Sequence, residues 1–223
     1  ARRMKNRASA VFIYDIAQKK SFPVTDGITH AQMPVFDRNG KYLYFASSAN
    51  AGTTEFSWGV LNGILANPLV VRRLHAVILS ADQVSPLLPN GQPNPEAKVS
   101  DVATAVKIDF ESLGKRFVNL PLPPRDYSQL SVGRPGKLML VHREWSGDPG
   151  GPTQTVVSSF DITKGGQMQK IVDQVSAVDV TGDCAKVLYR KGRDFFLVSA
   201  EAPAKADEGK QDFSKIEVRV VPA

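Results

Sequence analysis

The sequence has almost no cysteine and no long apolar run, and both absences exclude classes of protein. No uninterrupted apolar stretch approaches the ~20 residues that cross a bilayer, so a membrane-embedded protein is excluded for this segment and no membrane partner is expected. The single cysteine, Cys184, can form neither an internal disulfide nor a cysteine-based zinc site. The composition is otherwise globular, with 42% hydrophobic and 22% charged residues.

The net charge of +6 is concentrated at one end of the chain. Four basic residues lie among the first seven, namely Arg2, Arg3, Lys5 and Arg7. The remainder is nearly balanced and has no basic stripe interleaved with aromatic residues, so no nucleic-acid partner is expected. The chain opens on Ala1 without an initiator methionine or an apolar leader core, which predicts a processed chain or a piece of a longer one.

Short runs of β-branched and aromatic residues, separated by turn signals, predict strands throughout the chain. Residues 11–16 and 20–25 form one predicted hairpin, and residues 34–37 and 42–46 form a second around the Asn39-Gly40 turn. The pattern then recurs in seven further runs: 127–132, 137–141, 154–160, 167–172, 175–180, 186–190 and 194–198.

Four short strands per unit, repeated every ~40 to 50 residues, are typical of propeller blades. We therefore predict an all-β fold, a β-propeller of about three and a half four-stranded antiparallel blades that is part of a larger chain. Tandem four-stranded units also fit a β-sandwich, which remains the alternative architecture.

The blades divide the sequence unevenly within one predicted propeller domain. One blade is stretched by insertions, the second of which carries four prolines and is expected to be a surface loop. A single helical turn is predicted at 58–65. The predicted division is an outer hairpin at 1–33, the stretched blade at 34–124 with insertions at 49–68 and 83–100, a blade at 127–173, and a last blade with an exit strand at 174–223.

Several motifs resemble one family of peptidases. The hairpin PVFDRNGKYLYF at 34–45 is similar to hairpins of TolB-type and tricorn-type propellers. The order of further segments resembles the second propeller of tricorn-like serine peptidases, and the resemblance covers essentially the whole chain. These segments are LSADQVSPL (79–87), VKIDFESL (106–113), KRFVNLPLP (115–123), YSQL (127–130), LYRKG (188–192) and GKQDFSKIEVRV (209–220).

The resemblance implies a large multidomain peptidase in which propellers act as gated channels and filters before a separate catalytic domain. This chain is then expected to be a non-catalytic propeller that serves as substrate channel and scaffold. Its expected partners are peptide substrates, the remaining domains of the parent peptidase and further copies in a homo-oligomer. The periplasm is the expected compartment, with the cytoplasm as the alternative. A TolB-type propeller that binds a protein or ligand, with no peptidase attached, is the alternative function.

A third hypothesis, an autonomous hydrolase using Ser146, Asp148 and His142, is disfavoured. The loop GDPGGP at 147–152 differs from the GDSGGP of chymotrypsin-type proteases at the nucleophile, where Pro149 has no hydroxyl. No nucleophile elbow surrounds Ser146. The three histidines, His30, His75 and His142, show no metal-ligand spacing. The sequence therefore predicts no catalytic residues, no metal site and no cofactor.

Arg72 and Arg73 are the predicted binding residues. Two guanidinium groups near a propeller channel could hold a peptide carboxylate through paired hydrogen bonds. The alternative is a solvated entry into the following strand, because neighbouring strand residues point to opposite faces.

Overall fold

A computed structural model describes residues 1–48, 71–97, 106–145, 153–165 and 168–212. These ranges hold fifteen strands in five antiparallel sheets, and their only helical element is a 3-10 turn at Leu113–Lys115. Within the same ranges, no helix is long and apolar enough to cross a membrane.

Two short sheets precede the larger ones. Each is a hairpin of two strands, and the second is closed by a polar turn in which Asp15 accepts a hydrogen bond from the backbone amide of Gln18. The strands are β1 (Arg2–Arg3), β2 (Ser9–Ala10), β3 (Phe12–Asp15) and β4 (Lys20–Pro23).

The next sheet has four strands in chain order, β5 (Ala31–Phe36), β6 (Tyr42–Ser48), β7 (Arg72–Ile78) and β8 (Phe117–Asn119). The Asn39-Gly40 turn joins β5 to β6, with Gly40 at a φ of 69° that favours glycine. Strand β6 is buried along its whole length, since both faces of this sheet are covered.

Two further sheets follow, again with their strands in chain order. One contains β9 (Asp126–Val132), β10 (Lys137–Trp145), β11 (Thr153–Asp161) and β12 (Gln169–Asp173). The other contains β13 (Ala177–Val180), β14 (Lys186–Lys191) and β15 (Asp194–Ser199). A bridge between Phe196 and Lys210 extends this last sheet beyond β15.

The core consists of three apolar clusters, and each cluster fills the space between two consecutive sheets. Val11 and Ile13 pack against Phe45 and the rest of the β5–β8 sheet. Tyr44 and its neighbours pack against the β9–β12 sheet, including Leu140. A third cluster joins that sheet to β14 and β15. The β3–β4 hairpin and the three larger sheets therefore stack face to face in the order of the sequence.

The structure confirms the prediction of an all-β fold with antiparallel four-stranded sheets, two of which lie in the described ranges. Strands β10 and β11 are longer than predicted, because nine residue pairs continue their ladder to Trp145 and Thr153. Residues 83–97 form turns and one isolated bridge, as expected of a loop insertion. The insertion at 49–68 and the helical turn at 58–65 lie outside the described residues.

Candidate functional site

A cavity of about 640 Å³ opens between the segment that follows β4 and one face of the β5–β8 sheet. Its lining residues are divided about evenly between apolar and polar side chains. The apolar lining includes Val24, Phe45, Phe110, Leu113 and Phe117. Concave sites that combine apolar walls with polar side chains are typical of small-molecule binding.

Three polar side chains from three neighbouring strands meet beside this cavity. The Oγ of Ser47 on β6 lies 2.7 Å from Nε2 of His75 on β7. The Nδ1 of His75 lies 2.8 Å from Oδ1 of Asn119 on β8. Ser47 and His75 both line the cavity, although each is less than one-tenth exposed.

The imidazole of His75 is held by aromatic rings as well as by hydrogen bonds. Phe45 stacks on it with ring centroids 5.0 Å apart, and Phe117 meets it edge-on at 5.9 Å. Burial lowers the pKa of His75, an effect that its hydrogen bond to Asn119 partly offsets. The ring is therefore fixed in position and neutral at pH 7.

Arg72 lies in an ion cluster between two sheets. Its guanidinium donates to Asp126 at 3.0 Å and to the carbonyl of Tyr127 at 2.9 Å. Asp126 is almost fully buried and also accepts from Arg143, at 2.6 Å from Nε. The cluster joins β7 to β9 and β10.

The structure separates the two arginines that the sequence singled out. Arg73 is exposed, whereas Arg72 is largely buried and engages Asp126, as expected for neighbours on one strand. Their proposed contact with a peptide carboxylate stays a prediction.

Of the three residues of the disfavoured hydrolase hypothesis, His142 alone lies in the part of the chain that the structure describes. Ser146 and Asp148 lie outside the described residues. His142 is fully buried, and its Nε2 is 3.1 Å from a carboxylate oxygen of Glu144. Burial lowers the pKa of His142, with partial compensation from Glu144.

A metal-binding group and a reactive thiol are two further kinds of reactive centre to consider in the described part of the chain. No group of three His, Cys, Asp or Glu side chains there is arranged to hold a metal ion. Cys184 is buried, and burial raises the pKa of its thiol to about 11, so the thiolate is scarce at neutral pH.

The Ser47–His75–Asn119 group was missed by the sequence analysis, which considered the histidines only at short spacings along the chain. The signal lies in strand register: Phe45 pairs with His75, and His75 pairs with Asn119. A register for three strands interrupted by long insertions is not readable from the sequence alone. The fold and site together define an all-β protein of successive stacked sheets in which the hydrogen-bonded Ser47, His75 and Asn119 lie beside a cavity.

Comparisons with known proteins identify what this arrangement is similar to. No protein-family model matches the chain. The tricorn protease of Thermoplasma acidophilum is 25% identical over 188 residues, which are 82% of this chain and 16% of that protein. A crystal structure of the tricorn protease matches 93% of this chain with a TM-score of 0.63 at 19% identity.

The resemblance to the tricorn protease predicted from sequence motifs is thus confirmed in sequence and in fold. The chain spans 16% of the curated relative and 19% of the chain in the crystal structure.

Proposed function

We propose that this chain is a non-catalytic β-propeller portion of a tricorn-like serine peptidase, acting as a substrate channel or filter and as a scaffold. The observation that carries the proposal is the stacking of consecutive antiparallel sheets, in chain order, in a fold that matches the tricorn protease over 93% of the chain. Blades that bury both faces against their neighbours are how a propeller forms its core.

The arrangement of the opening strands supports the channel role. Strand β5, which opens the first four-stranded sheet, contacts β9, which opens the next one, and it also contacts β2. In a propeller the first strands of successive blades lie side by side around a central channel. Peptides passing through such a channel would meet polar backbone edges and the side chains of these strands.

The two arginines have different roles in this proposal. Arg73 is exposed, and its guanidinium is available to a peptide carboxylate. Arg72 instead donates a hydrogen bond to Asp126 and stabilises the contact between the sheets. Replacing Arg73 would then weaken binding of peptides with a free C-terminus while the sheet contacts of Arg72 persist.

The experiment uses the protein encoded by the complete reading frame. We expect hydrolysis of short peptides that a serine-directed inhibitor abolishes, and a higher KM in R73E for peptides with a free carboxylate than for the same peptides amidated. Equal KM changes for both peptide forms would contradict the role of Arg73. Peptide binding without any hydrolysis would contradict the peptidase assignment and favour the TolB-type binding module.

A further inference from the structure

The hydrogen bonds of His75 fix which of its nitrogens carries the proton. Oδ1 of Asn119 can only accept, so Nδ1 of His75 donates to it across 2.8 Å. In the neutral ring this leaves the lone pair of Nε2 facing the hydroxyl of Ser47 at 2.7 Å. A serine hydroxyl that donates to a neutral, oriented imidazole is the arrangement that generates a serine nucleophile.

The surroundings favour reaction at Ser47 over a purely structural bond. Phe45 and Phe117 hold the ring of His75 from two sides, so little reorganisation is needed when it takes a proton. The cavity beside Ser47 has apolar walls that suit an aryl group. Three charged side chains lie near His75. Arg73 is two residues before it on β7 and therefore on the same face of the sheet, and Asp26 and Lys115 line the cavity.

We propose that Ser47 is a nucleophile that accepts an acyl group from an aryl ester, with His75 as its general base and Asn119 as a positioning residue. The chain is non-catalytic in the proposed function only with respect to peptide hydrolysis, and this inference assigns it a separate ester chemistry that does not depend on the passage of peptides. An aryl ester fits because its phenolate departs readily, whereas the poor amine leaving group of a peptide makes its hydrolysis depend much more on oxyanion stabilisation, which these three side chains are not arranged to supply.

The reaction has two balanced steps. In the first, Oγ of Ser47 bonds to the acyl carbon, the bond from that carbon to the aryl oxygen breaks, and the Oγ proton passes to Nε2 of His75 and then to the departing phenolate. In the second, water gives its proton to Nε2 and bonds to the acyl carbon, and Ser47 recovers the proton as the carboxylic acid leaves.

The test mixes the 223-residue chain with p-nitrophenyl acetate and follows p-nitrophenolate release, with peptide mapping of the acetylated protein. We expect a stoichiometric burst and an acetyl group on Ser47. S47A should abolish the burst, and H75Q should slow acylation by about 10²- to 10⁴-fold. N119L should also slow acylation, whereas N119D, which keeps an acceptor for Nδ1, should restore it.

Ser48 provides the matched control. It is the next residue on β6, it is buried on the opposite face, and its Oγ accepts the backbone amide of His30 at 3.3 Å. S48A should keep the full burst. Thermal unfolding of every variant, followed by circular dichroism, separates loss of chemistry from loss of fold. A burst that persists in S47A, an acetyl group on Lys115 instead, or a folded wild-type chain with no burst would each overturn the proposal.

Discussion

At the scale of single residues, Tyr44 and Tyr127 differ in whether the phenolic hydroxyl has a partner. Both side chains are fully buried in the same apolar cluster. The hydroxyl of Tyr127 donates to the carbonyl of Pro123 at 2.7 Å. That of Tyr44 has no hydrogen-bond partner among the described residues. A buried hydroxyl without a partner carries its desolvation penalty uncompensated.

We therefore predict opposite effects of removing the two hydroxyls. Y127F should lower the free energy of unfolding by about 1 kcal/mol, because it leaves the Pro123 carbonyl without its donor. Y44F should leave stability unchanged or raise it by up to about 1 kcal/mol. Urea unfolding of the two variants beside the wild type measures both values. A loss in Y44F as large as that in Y127F would show that the Tyr44 hydroxyl is satisfied.

Asp37 gives a prediction on pH dependence. It is 3% exposed, and burial raises the pKa of its carboxyl, although backbone amides, Gly136 among them, partly oppose the shift. A raised pKa in the folded state means that its contribution to stability is present below the ordinary pKa and is lost as the pH rises through the raised value.

The neutral variant D37N should lack this loss. As the pH rises through the ordinary carboxyl pKa and then through the raised pKa of Asp37, the stability difference between D37N and the wild type should move in favour of the variant, and above the raised value it should stay constant. D173N is the contrasting control, because a hydrogen bond from Lys170 lowers the pKa of Asp173. Its difference from the wild type should move against the variant as the pH rises from the lowered pKa to the ordinary carboxyl pKa, and should stay constant above that. Urea unfolding across a pH series measures both, and parallel curves for D37N and wild type would contradict the prediction.

At the scale of elements, the ion cluster around Asp126 ties one sheet to the next. Asp126 on β9 holds Arg72 of β7 and Arg143 of β10, and its side chain is 3% exposed. Removing the carboxylate would leave two cations partly buried without their counter-ion. Removing one partner of a buried pair costs much more than removing an exposed one.

D126N should therefore destabilise the chain by about 3 kcal/mol or more. The matched control is D194N, which breaks the ion pair of Asp194 with Lys210, where both side chains are about half exposed. Its cost should stay below about 1 kcal/mol. Denaturant unfolding gives both values. An equally small loss of unfolding free energy in both variants would mean that Asp126 contributes little to the contact between the two sheets.

Two glycines with similar backbone conformations test the bridge that extends the last sheet. Gly209 and Gly192 have φ of 70° and 62°. A Cβ on Gly209 would lie 2.1 Å from the carbonyl oxygen of Leu197 on β15, whereas a Cβ on Gly192 meets nothing within 4 Å. The amide of Leu197 also donates to the Gly209 carbonyl at 2.9 Å.

G192A should thus cost about 1–2 kcal/mol from its left-handed backbone alone. G209A should cost clearly more, above about 3 kcal/mol, because the new Cβ would also force the segment around Gly209 away from β15. Thermal unfolding ranks the two variants, and hydrogen exchange at the Leu197 amide reports whether the bridge opens. Similar melting temperatures for the two variants would show that the bridge contributes little.

The hairpins were predictable because their signals are local: Asn39-Gly40 specifies a turn, and the flanking apolar runs specify strands. Burial was less predictable. Tyr14-Asp15-Ile16 and Phe160-Asp161-Ile162 look alike in the sequence, yet Ile16 is 83% exposed and Ile162 is 1% exposed. Strand β3 belongs to a two-stranded hairpin, whereas β11 lies inside a four-stranded sheet that is covered by its neighbours. The Ser47–His75 contact likewise depends on register between strands far apart in the chain.

At the scale of the whole molecule, the last sheet has an apolar strip on its outward face within the described part of the chain. The inward face of β14 and β15, with Val187 and Tyr189, is buried in the third apolar cluster. On the outward face Leu188 pairs with Leu197 and is 37% exposed. In a propeller such a face would be covered by the next blade.

The chain on its own should therefore associate through this face. We expect sedimentation velocity to show association that grows with protein concentration, and L188K to shift the equilibrium toward monomer with the melting temperature preserved. I16K is the matched control, because Ile16 is more exposed but lies in a turn rather than on a sheet face. I16K should associate like the wild type. A wild-type chain that stays monomeric at every concentration would contradict the view that this face normally lies against another sheet.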